Sequence, residues 1–500
     1  MANIFTFSPF GYEGSLVSVE ADIRRGIPAV DIVGLADGSI KESRERVKAA
    51  ISNGGFDFPS ERVLVSLSPA DLKKEGSSMD LAIALGILNA KEDSNYIEES
   101  ILVLGELELS GMVRPVKAVH AACSSALATG INFAIVPKAN AKEAHAFKDL
   151  KVIGVESLEE AVYALKDSKA FGKSLVIEET DPNAVVFNDD VYVDATDLKL
   201  SKRLIRAIEI AVAGKHHLLI TGHPGCGKTL AVQNLVPLLT PKLTTEEAQS
   251  VTRIHSLSGL LRPDEPLMKD APFRMPHQTA SIEGICGGGP NCRPGEISLA
   301  HNGVLFMDEA AEFRSSVLQM LRVPLESHSI TLSRAGRSTC YPANFQLILA
   351  TNPCPCGNYG SKDRICLCSA KAVEMYWRKF SAPLIDRIGI IVQMEGGEEK
   401  EPVNLTELRE HVKKAYEIQR RNGTYNQSLS AYQLSERTLD EEALHVMDSY
   451  VVKHDIGTRR ELNILRIANT IANMDGRETV SKDDVLEAVS FAKTFGLATN

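Results

Sequence analysis

The chain has 500 residues, enough for about three domains, and its 44% hydrophobic and 24% charged content is that of an ordinary globular protein. A formal charge of −10 gives no support for indiscriminate nucleic-acid binding, although it leaves room for a basic pore or stripe on an acidic body. The opening residues lack the pattern of a secretory signal, no run approaches the ~18 apolar residues that span a bilayer, and nine cysteines fit a reducing cytoplasm better than a disulfide framework.

In chain order, residues 1–165 mix strand-like runs at 62–67, 101–104 and 133–136 with helical periods at 43–52, 80–89 and 117–128, an α+β pattern. The poorly periodic acidic span from Glu178 to Asp190 belongs to a linker at 166–195. A helix at 202–213 leads into a nucleotide-binding α/β unit at 196–395. The run from Gly396 to Pro402 breaks the chain again, and residues 396–500 carry helical periods at 405–421, 441–453, 460–473 and 482–495. The last helix starts at Ser481 with Asp484 three residues on, in capping-box fashion. A small helical bundle after a nucleotide-binding unit is expected to act as its lid.

The α/β unit carries the most specific signal. An apolar run at 218–220 leads into Gly222-His-Pro-Gly225-Cys-Gly227-Lys228-Thr229, the G-x-x-x-x-G-K-T pattern of a phosphate loop between a strand and a helix. Glycines let backbone N–H groups approach phosphate oxygens where a Cβ would clash. Gly222, Pro224, Gly225, Cys226 and Gly227 therefore form the cradle, with Cys226 read as a tolerated small residue. Lys228 is expected to neutralise the β- and γ-phosphates of ATP, and the Thr229 hydroxyl to hold Mg²⁺.

A second apolar run, at 304–307, ends in Asp308 and Glu309. Adjacent acids at the tip of a buried strand are costly without a cation or solvent. Asp308 is placed for the Mg²⁺ of Thr229, and Glu309 for polarising the attacking water. A third run, at 345–350, delivers Asn352, which can report on the γ-phosphate. Three strands ending in nucleotide chemistry predict a parallel sheet with ATP bound, and hydrolysed, at its carboxyl edge.

Longer motifs follow in order: Pro69-Ala-Asp-Leu-Lys-Lys-Glu75-Gly-Ser-Ser78, Arg274-Met-Pro-His277-Gln-Thr-Ala-Ser281 and Pro294-Gly-Glu296-Ile-Ser-Leu-Ala-His301-Asn-Gly303. They continue with Leu332-Ser-Arg334-Ala, Asn352-Pro-Cys354-Pro-Cys356-Gly357 and Ile464-Leu-Arg466-Ile-Ala-Asn-Thr-Ile471-Ala. On these stretches the sequence resembles, over nearly its whole length, the ComM/YifB family of bacterial Mg-chelatase-like AAA+ ATPases. The resemblance implies an AAA+ P-loop NTPase core, an N-terminal Lon-protease-like (S5-like) α+β domain and a C-terminal helical lid. It implies a hexameric ring ATPase. It also implies a role in DNA metabolism, since ComM-like proteins act as branch-migration helicases during natural transformation.

At Asp386-Arg387 the resemblance implies an arginine finger for a neighbouring subunit's γ-phosphate, a device worth roughly 10³–10⁵ in rate. A domain-boundary salt bridge is the other reading of Arg387, and Arg322 is the runner-up finger. Arg459 matches the second arginine sensor at the start of the lid helix, with Arg460 beside it and with action in cis or in trans left open. Three positions in two motifs depart from the family pattern. Its Asp-Glu-Leu-Pro-Glu-Phe is Asp308-Glu309-Ala310-Ala311-Glu312-Phe313 here, and the second histidine of Met-Pro-His-His is Gln278.

The turn Lys74-Glu75-Gly76-Ser77-Ser78 is similar to the nucleophile turn of Lon-type proteases, which pair a serine with a lysine. The position aligned with that lysine holds His120, and nothing suggests an orienting carboxylate for it. The front domain is therefore read as a Lon-like fold kept for ring assembly or DNA contact, not as a protease. Cys354, Cys356, Cys366 and Cys368 form two C-x-C pairs around a loop-forming stretch, and four thiolates so close suit tetrahedral Zn²⁺. Ordinary reduced cysteines are the other reading, and Cys286 and Cys292 take no role.

Arg334 and Arg337 lie where relatives with inserted pore elements place residues near a ring's centre. They could track DNA phosphates, or be solvated or intersubunit arginines. No aromatic-basic interleaving points to sequence-specific readout. The chain is thus read as a cytoplasmic, homo-hexameric, ATP-driven motor on single-stranded or branched DNA. A Mg-chelatase-like motor subunit and a nucleotide-regulated DNA-binding scaffold are the rival readings.

Overall fold

A computed structural model describes residues 3–34, 38–70, 74, 76–91, 99–167, 171, 184–188, 198–262, 265–334, 336–361, 364–394, 399–435, 437 and 439–492. Most of the expected linker, Gly396 to Glu398 of the expected chain break, Glu75 of the nucleophile turn and the last residues of the expected final helix lie outside them. No helix among the described residues is long and apolar enough to cross a membrane.

The front domain is built on a seven-stranded sheet in the order Ala29–Val33, Arg62–Ser68, Ser15–Arg24, Asn3–Ser8, Ser100–Val103, Phe133–Pro137 and Lys151–Val155. The two-residue period of a strand sorts its side chains to opposite faces. Ile101, Val103, Phe133 and Ile135 bury on one face, and Leu102, Leu104, Ala134 and Val136 on the other. The helix Asp80–Lys91, buried continuously from Asp80 to Asn89, fills the first face. A helix apolar all round must be enclosed all round. Its buried first residue, Asp80, is met by the Arg46 guanidinium at 3.0 and 3.3 Å.

Val119–Ala128 packs on the second face. Ser78 leads the helix of the first face and His120 belongs to the helix of the second, so the sheet stands between them. The His120 ring lies 4.6 Å from that of Phe147, and among the described residues neither of its nitrogens has a hydrogen-bond partner. Burial pushes its pKa down to about 3. His120 is therefore a packed core residue, and it offers Ser78 no base.

The central unit holds five parallel strands in the order Phe273–Arg274, Val304–Met307, Gln346–Thr351, Leu218–Gly222 and Ile390–Met394. Every residue of the second, third and fourth is buried, as expected of parallel strands covered on both faces. The register pairs Met307 with Leu349 and Thr221 with Thr351, so all three strands deliver their following residues to one carboxyl edge.

Four long helices follow: Leu405–Arg421, Glu441–His454, Thr458–Met474 and Lys482–Phe491. The last carries the expected capping box of Ser481 and Asp484. These helices share one apolar core with the sheet and with the helix Lys202–Gly214. Polar ties from these helices and from the turn Asn426–Ser428 run to the residues just before the strands. His216 Nε2 lies 2.7 Å from Thr470 Oγ1, Gln427 Nε2 lies 3.1 Å from His217 Nε2, and Asn463 donates to the Asp386 carbonyl at 3.1 Å. The bundle thus sits behind the sheet, towards its amino edge, and not over the phosphate loop where a lid was expected. Helical period identifies an apolar face but not the surface it will choose.

Glu247 ties the core together. It closes a capping box with Thr244, lies 3.3 Å from Lys215 Nζ and accepts the Tyr425 hydroxyl at 2.9 Å. Burial alone would raise its pKa, but Lys215, the Thr244 N–H and Tyr425 outweigh it and hold the carboxyl at about 2 instead of 4.5. A depressed carboxylate stabilises the fold above its unfolded pKa and loses that contribution as pH falls through the folded value. About 3 kcal/mol should therefore vanish between pH 4.5 and 2. Thermal melts across that range check this, because Glu247→Gln should melt lower at pH 7 and lose this part of the acid sensitivity. Parallel pH profiles for the two proteins would show the assignment to be wrong.

The front domain is joined to the core at several points: Ala118 N–H donates to the Ser256 carbonyl at 3.2 Å, the Ser256 hydroxyl donates to Glu143, and one arginine and one hairpin add to these. Arg253 donates to the carbonyls of Tyr12 and Glu13, each at 3.1 Å, and lies over the Tyr12 ring. The hairpin Ser329–Arg334 with Arg337–Pro342 accepts the segment around Gly11, where Tyr12 N–H bonds Thr339 Oγ1 at 2.9 Å. The Arg337 guanidinium stacks 3.5 Å from the Phe10 ring centre, which makes it a domain-joining arginine. Arg334 is exposed at the hairpin tip.

Candidate nucleotide and metal sites

The carboxyl edge assembles the residues expected from the phosphate loop and its two neighbouring strands. Gly225 and Gly227 adopt φ of 81° and 96°, a left-handed conformation that glycine takes without penalty. Gly222 is required for a different reason: a Cβ there would lie 2.9 Å from Met394 Cβ. Lys228 opens the helix Lys228–Leu239, and its ammonium donates to the carbonyls of Gly222 at 2.7 Å and His223 at 3.1 Å. It also donates to Asn352 Oδ1 at 3.1 Å. Burial pushes the lysine pKa down, against the pull of Cys226, Asp308 and Glu309.

Thr229 Oγ1 donates to Asp308 Oδ2 at 2.7 Å, which sets two hard oxygen donors side by side. Such a pair fits Mg²⁺, which prefers oxygen ligands and keeps several of its own waters. Glu309 turns into the left-handed region at φ 48°, where its N–H caps Asp308 Oδ1 at 2.9 Å and its side chain is exposed. Lys228, Thr229, Asp308, Asn352 and Glu309 thus meet at one edge.

Arg387 and Arg459 meet elsewhere. Arg387 precedes the strand Ile390–Met394, at the amino edge of the sheet, and its Nη2 lies 2.7 Å from Glu326 Oε1 while Nη1 donates to the Pro383 carbonyl. Arg459 reaches the same Glu326 oxygen, and Arg460 Nη2 stands 3.8 Å from Asp386. Both arginines on Glu326 line a cavity of about 490 Å³ together with His217, His328 and Arg466. Among the described residues, the Arg322 side chain meets Gln319 at 3.4 Å, from the turn that follows the helix Ser315–Met320. The sequence leaves open whether Arg459 acts in cis or in trans; the structure sets it beside Arg387, away from the phosphate loop of its own chain. Glu326, which joins the two, was missed because nothing in its local sequence marks it.

A second constellation adjoins the phosphate loop. The sulfurs of Cys354, Cys356 and Cys366 lie 3.4, 3.7 and 3.6 Å apart, and with Cys368 all four fall within 4.8 Å of one another. Tetrahedral zinc with Zn–S near 2.3 Å implies sulfur edges of about 3.8 Å, whereas a disulfide would hold two of them at about 2.0 Å. The spacing therefore fits a four-thiolate metal. The N–H of Asn358 pulls the Cys356 thiol below the ordinary range, and the Tyr359 N–H points at Cys354 Sγ from 3.3 Å. Such donors stabilise thiolates and orient them. Cys286 and Cys292 are buried without joining this group.

Three family models match the chain. The one described as magnesium chelatase, subunit ChlI, covers residues 194–402; subunit ChlI of Mg-chelatase covers 19–140; and magnesium chelatase, subunit ChlI C-terminal, covers 404–492. The chain is 34% identical over 507 residues to the competence protein ComM of Haemophilus influenzae, a match spanning 98% of this chain and 97% of that protein. It is 33% identical over 500 residues to the uncharacterized protein YifB of Escherichia coli, spanning 98% and 96%. It is 24% identical over 339 residues to the magnesium-chelatase subunit ChlI of Nephroselmis olivacea, spanning 60% of this chain and 85% of that protein.

Proposed function

Because the chain belongs to the ComM/YifB family of Mg-chelatase-like AAA+ ATPases, we propose that it is an ATP-hydrolysing ring motor, a homo-hexamer, that moves on single-stranded or branched DNA. One observation carries the ring: Lys228 and Arg387 stand at opposite edges of the same sheet. Four rises along the strand Leu218–Gly222 already separate those edges by roughly 13 Å. Neither Arg387 nor Arg459 is then placed to serve the nucleotide of its own subunit. Repeating the chain head to tail brings the amino edge of one copy to the carboxyl edge of the next, an interface that forms a ring when its rotation closes.

In this reading the cradle from Gly222 to Gly227 and the Lys228 ammonium bind the phosphates of ATP. Thr229 and Asp308 hold Mg²⁺, which neutralises charge on the phosphates. Glu309 polarises water at the mouth of the site, and Asn352 orients it. Arg387 and Arg459 reach into the neighbouring subunit's site as finger and sensor, with Glu326 holding them side by side. Zn²⁺ on Cys354, Cys356, Cys366 and Cys368 is structural. The front domain acts in assembly or DNA contact, a reading favoured by the separation of Ser78 from His120.

DNA as the track is favoured by the competence protein ComM, which matches 98% of this chain, against 60% for the chelatase subunit. The exposed Arg334 offers a phosphate contact, and its use would make binding steeply salt-dependent. The test measures ATPase rate with and without DNA, together with three-strand branch migration. DNA-stimulated hydrolysis with strand movement, lost on Arg334→Ala or at high salt, is expected. Hydrolysis indifferent to every DNA supplied would instead favour the chelatase-like motor.

A further inference from the structure

We infer that the four-cysteine loop is a wall of the ATP pocket held in place by its metal, so that a bound thiophilic cation such as Zn²⁺ sets the affinity of the phosphate loop for nucleotide. The inference rests on the zinc reading above and carries it to the neighbouring site. Cys354 comes two residues after Asn352, whose amide oxygen receives the Lys228 ammonium at 3.1 Å. Gly357, next to Cys356, touches the phosphate loop twice. Its carbonyl lies 2.7 Å from His223 Nδ1, and a Cβ on it would stand 2.6 Å from Pro224 Cγ and Cδ. The His223 carbonyl in turn accepts from Lys228 at 3.1 Å. Two short routes, through Asn352 and through Gly357 and His223, thus connect the thiolates to the phosphate-binding lysine.

At its far end the described residues of the loop bury little. Ile365 and Leu367, which alternate with its last two cysteines, are 82% and 88% exposed, so no apolar burial anchors this end. On the other side the Trp377 indole donates to the Pro353 carbonyl at 3.0 Å, fixing the entry to the loop but not its tip. A loop without a core of its own takes its order from coordination, and the binding free energy of the metal becomes the folding free energy of the segment. Losing the metal frees Gly357 from Pro224 and His223, and the His223 carbonyl that accepts from the lysine loses its outer support.

The test uses the full chain, reduced, with Mg²⁺ in excess. Metal content is measured by elemental analysis, and affinity by titration with a fluorescent ATP analogue. Wild type is expected to carry one zinc per chain. Cys356→Ser with Cys366→Ser should lose the metal and bind nucleotide at least about tenfold more weakly, with the far-UV spectrum kept. Gly357→Ala separates the pocket from the metal: it should keep its zinc and still bind the analogue more weakly, because alanine at φ 79° strains the turn and its methyl pushes on Pro224. Absence of zinc from fully reduced wild type would overturn the metal reading. Zinc present in wild type with unchanged affinity in both variants would overturn the coupling alone. Neither readout requires DNA or ring formation.

Discussion

Glu309→Gln is expected to lower ATP turnover by about 10²–10⁴ while leaving ATP bound. The residue stands one position beyond Asp308, proposed to hold Mg²⁺, and projects into solvent at the site mouth, its backbone at φ 48° with its N–H capping Asp308. It touches neither Lys228 nor Thr229, so replacing its carboxylate removes a water-polarising group and keeps the phosphate contacts. Glutamine preserves shape and hydrogen-bonding reach but cannot carry the developing proton. Single-turnover hydrolysis and equilibrium binding separate the two effects. Near wild-type hydrolysis, or loss of binding together with hydrolysis, would assign Glu309 a different role. Lys228→Ala should behave oppositely, losing binding first.

Much of this site is legible before any fold is known, because its parts are local. A phosphate loop is a run of eight residues. The strand Val304–Met307 and the helix Leu405–Arg421 coincide with the expected 304–307 and 405–421, since each is a strong apolar period between clear stops. The strand order and register of the sheet then explain why Asp308 meets Thr229 at 2.7 Å across 79 positions.

What could not be read is relative placement. The helical bundle announces its apolar stripes but not that they will close on Lys202–Gly214 and leave Arg459 at the amino edge. His120 aligns with a base by count of residues, yet the alternation of the Ser100–Val103 and Phe133–Pro137 strands puts it across the sheet from Ser78. The strand Arg337–Pro342 escaped notice because the residues it buries, Thr339 and Tyr341, carry hydroxyls, so its inward–outward alternation leaves no apolar period in the sequence. Glu326 matters only because two distant segments converge on it, and no window of sequence contains both.

Arg387→Ala is expected to lower ATP turnover by about 10³ or more with nucleotide affinity kept, and the loss should be repaired by a second defective protein. The argument is geometric. Arg387 lies at the amino edge beside Glu326, with a side chain only 10% exposed, while Lys228 lies at the carboxyl edge. If each ATP is completed by a neighbour's arginine, a chain lacking Arg387 still offers a sound phosphate loop, and Lys228→Ala still offers a sound finger. Co-assembled in equal amounts, about a quarter of the interfaces of a head-to-tail ring would pair the two intact halves. Activity should then reappear in a mixture of two proteins that are each nearly inactive. An arginine acting on its own subunit's nucleotide would give a mixture as inactive as its parts. Arg459→Ala mixed with Lys228→Ala extends the same reasoning to the second arginine, whose shared contact with Glu326 predicts that it is repaired in the same way.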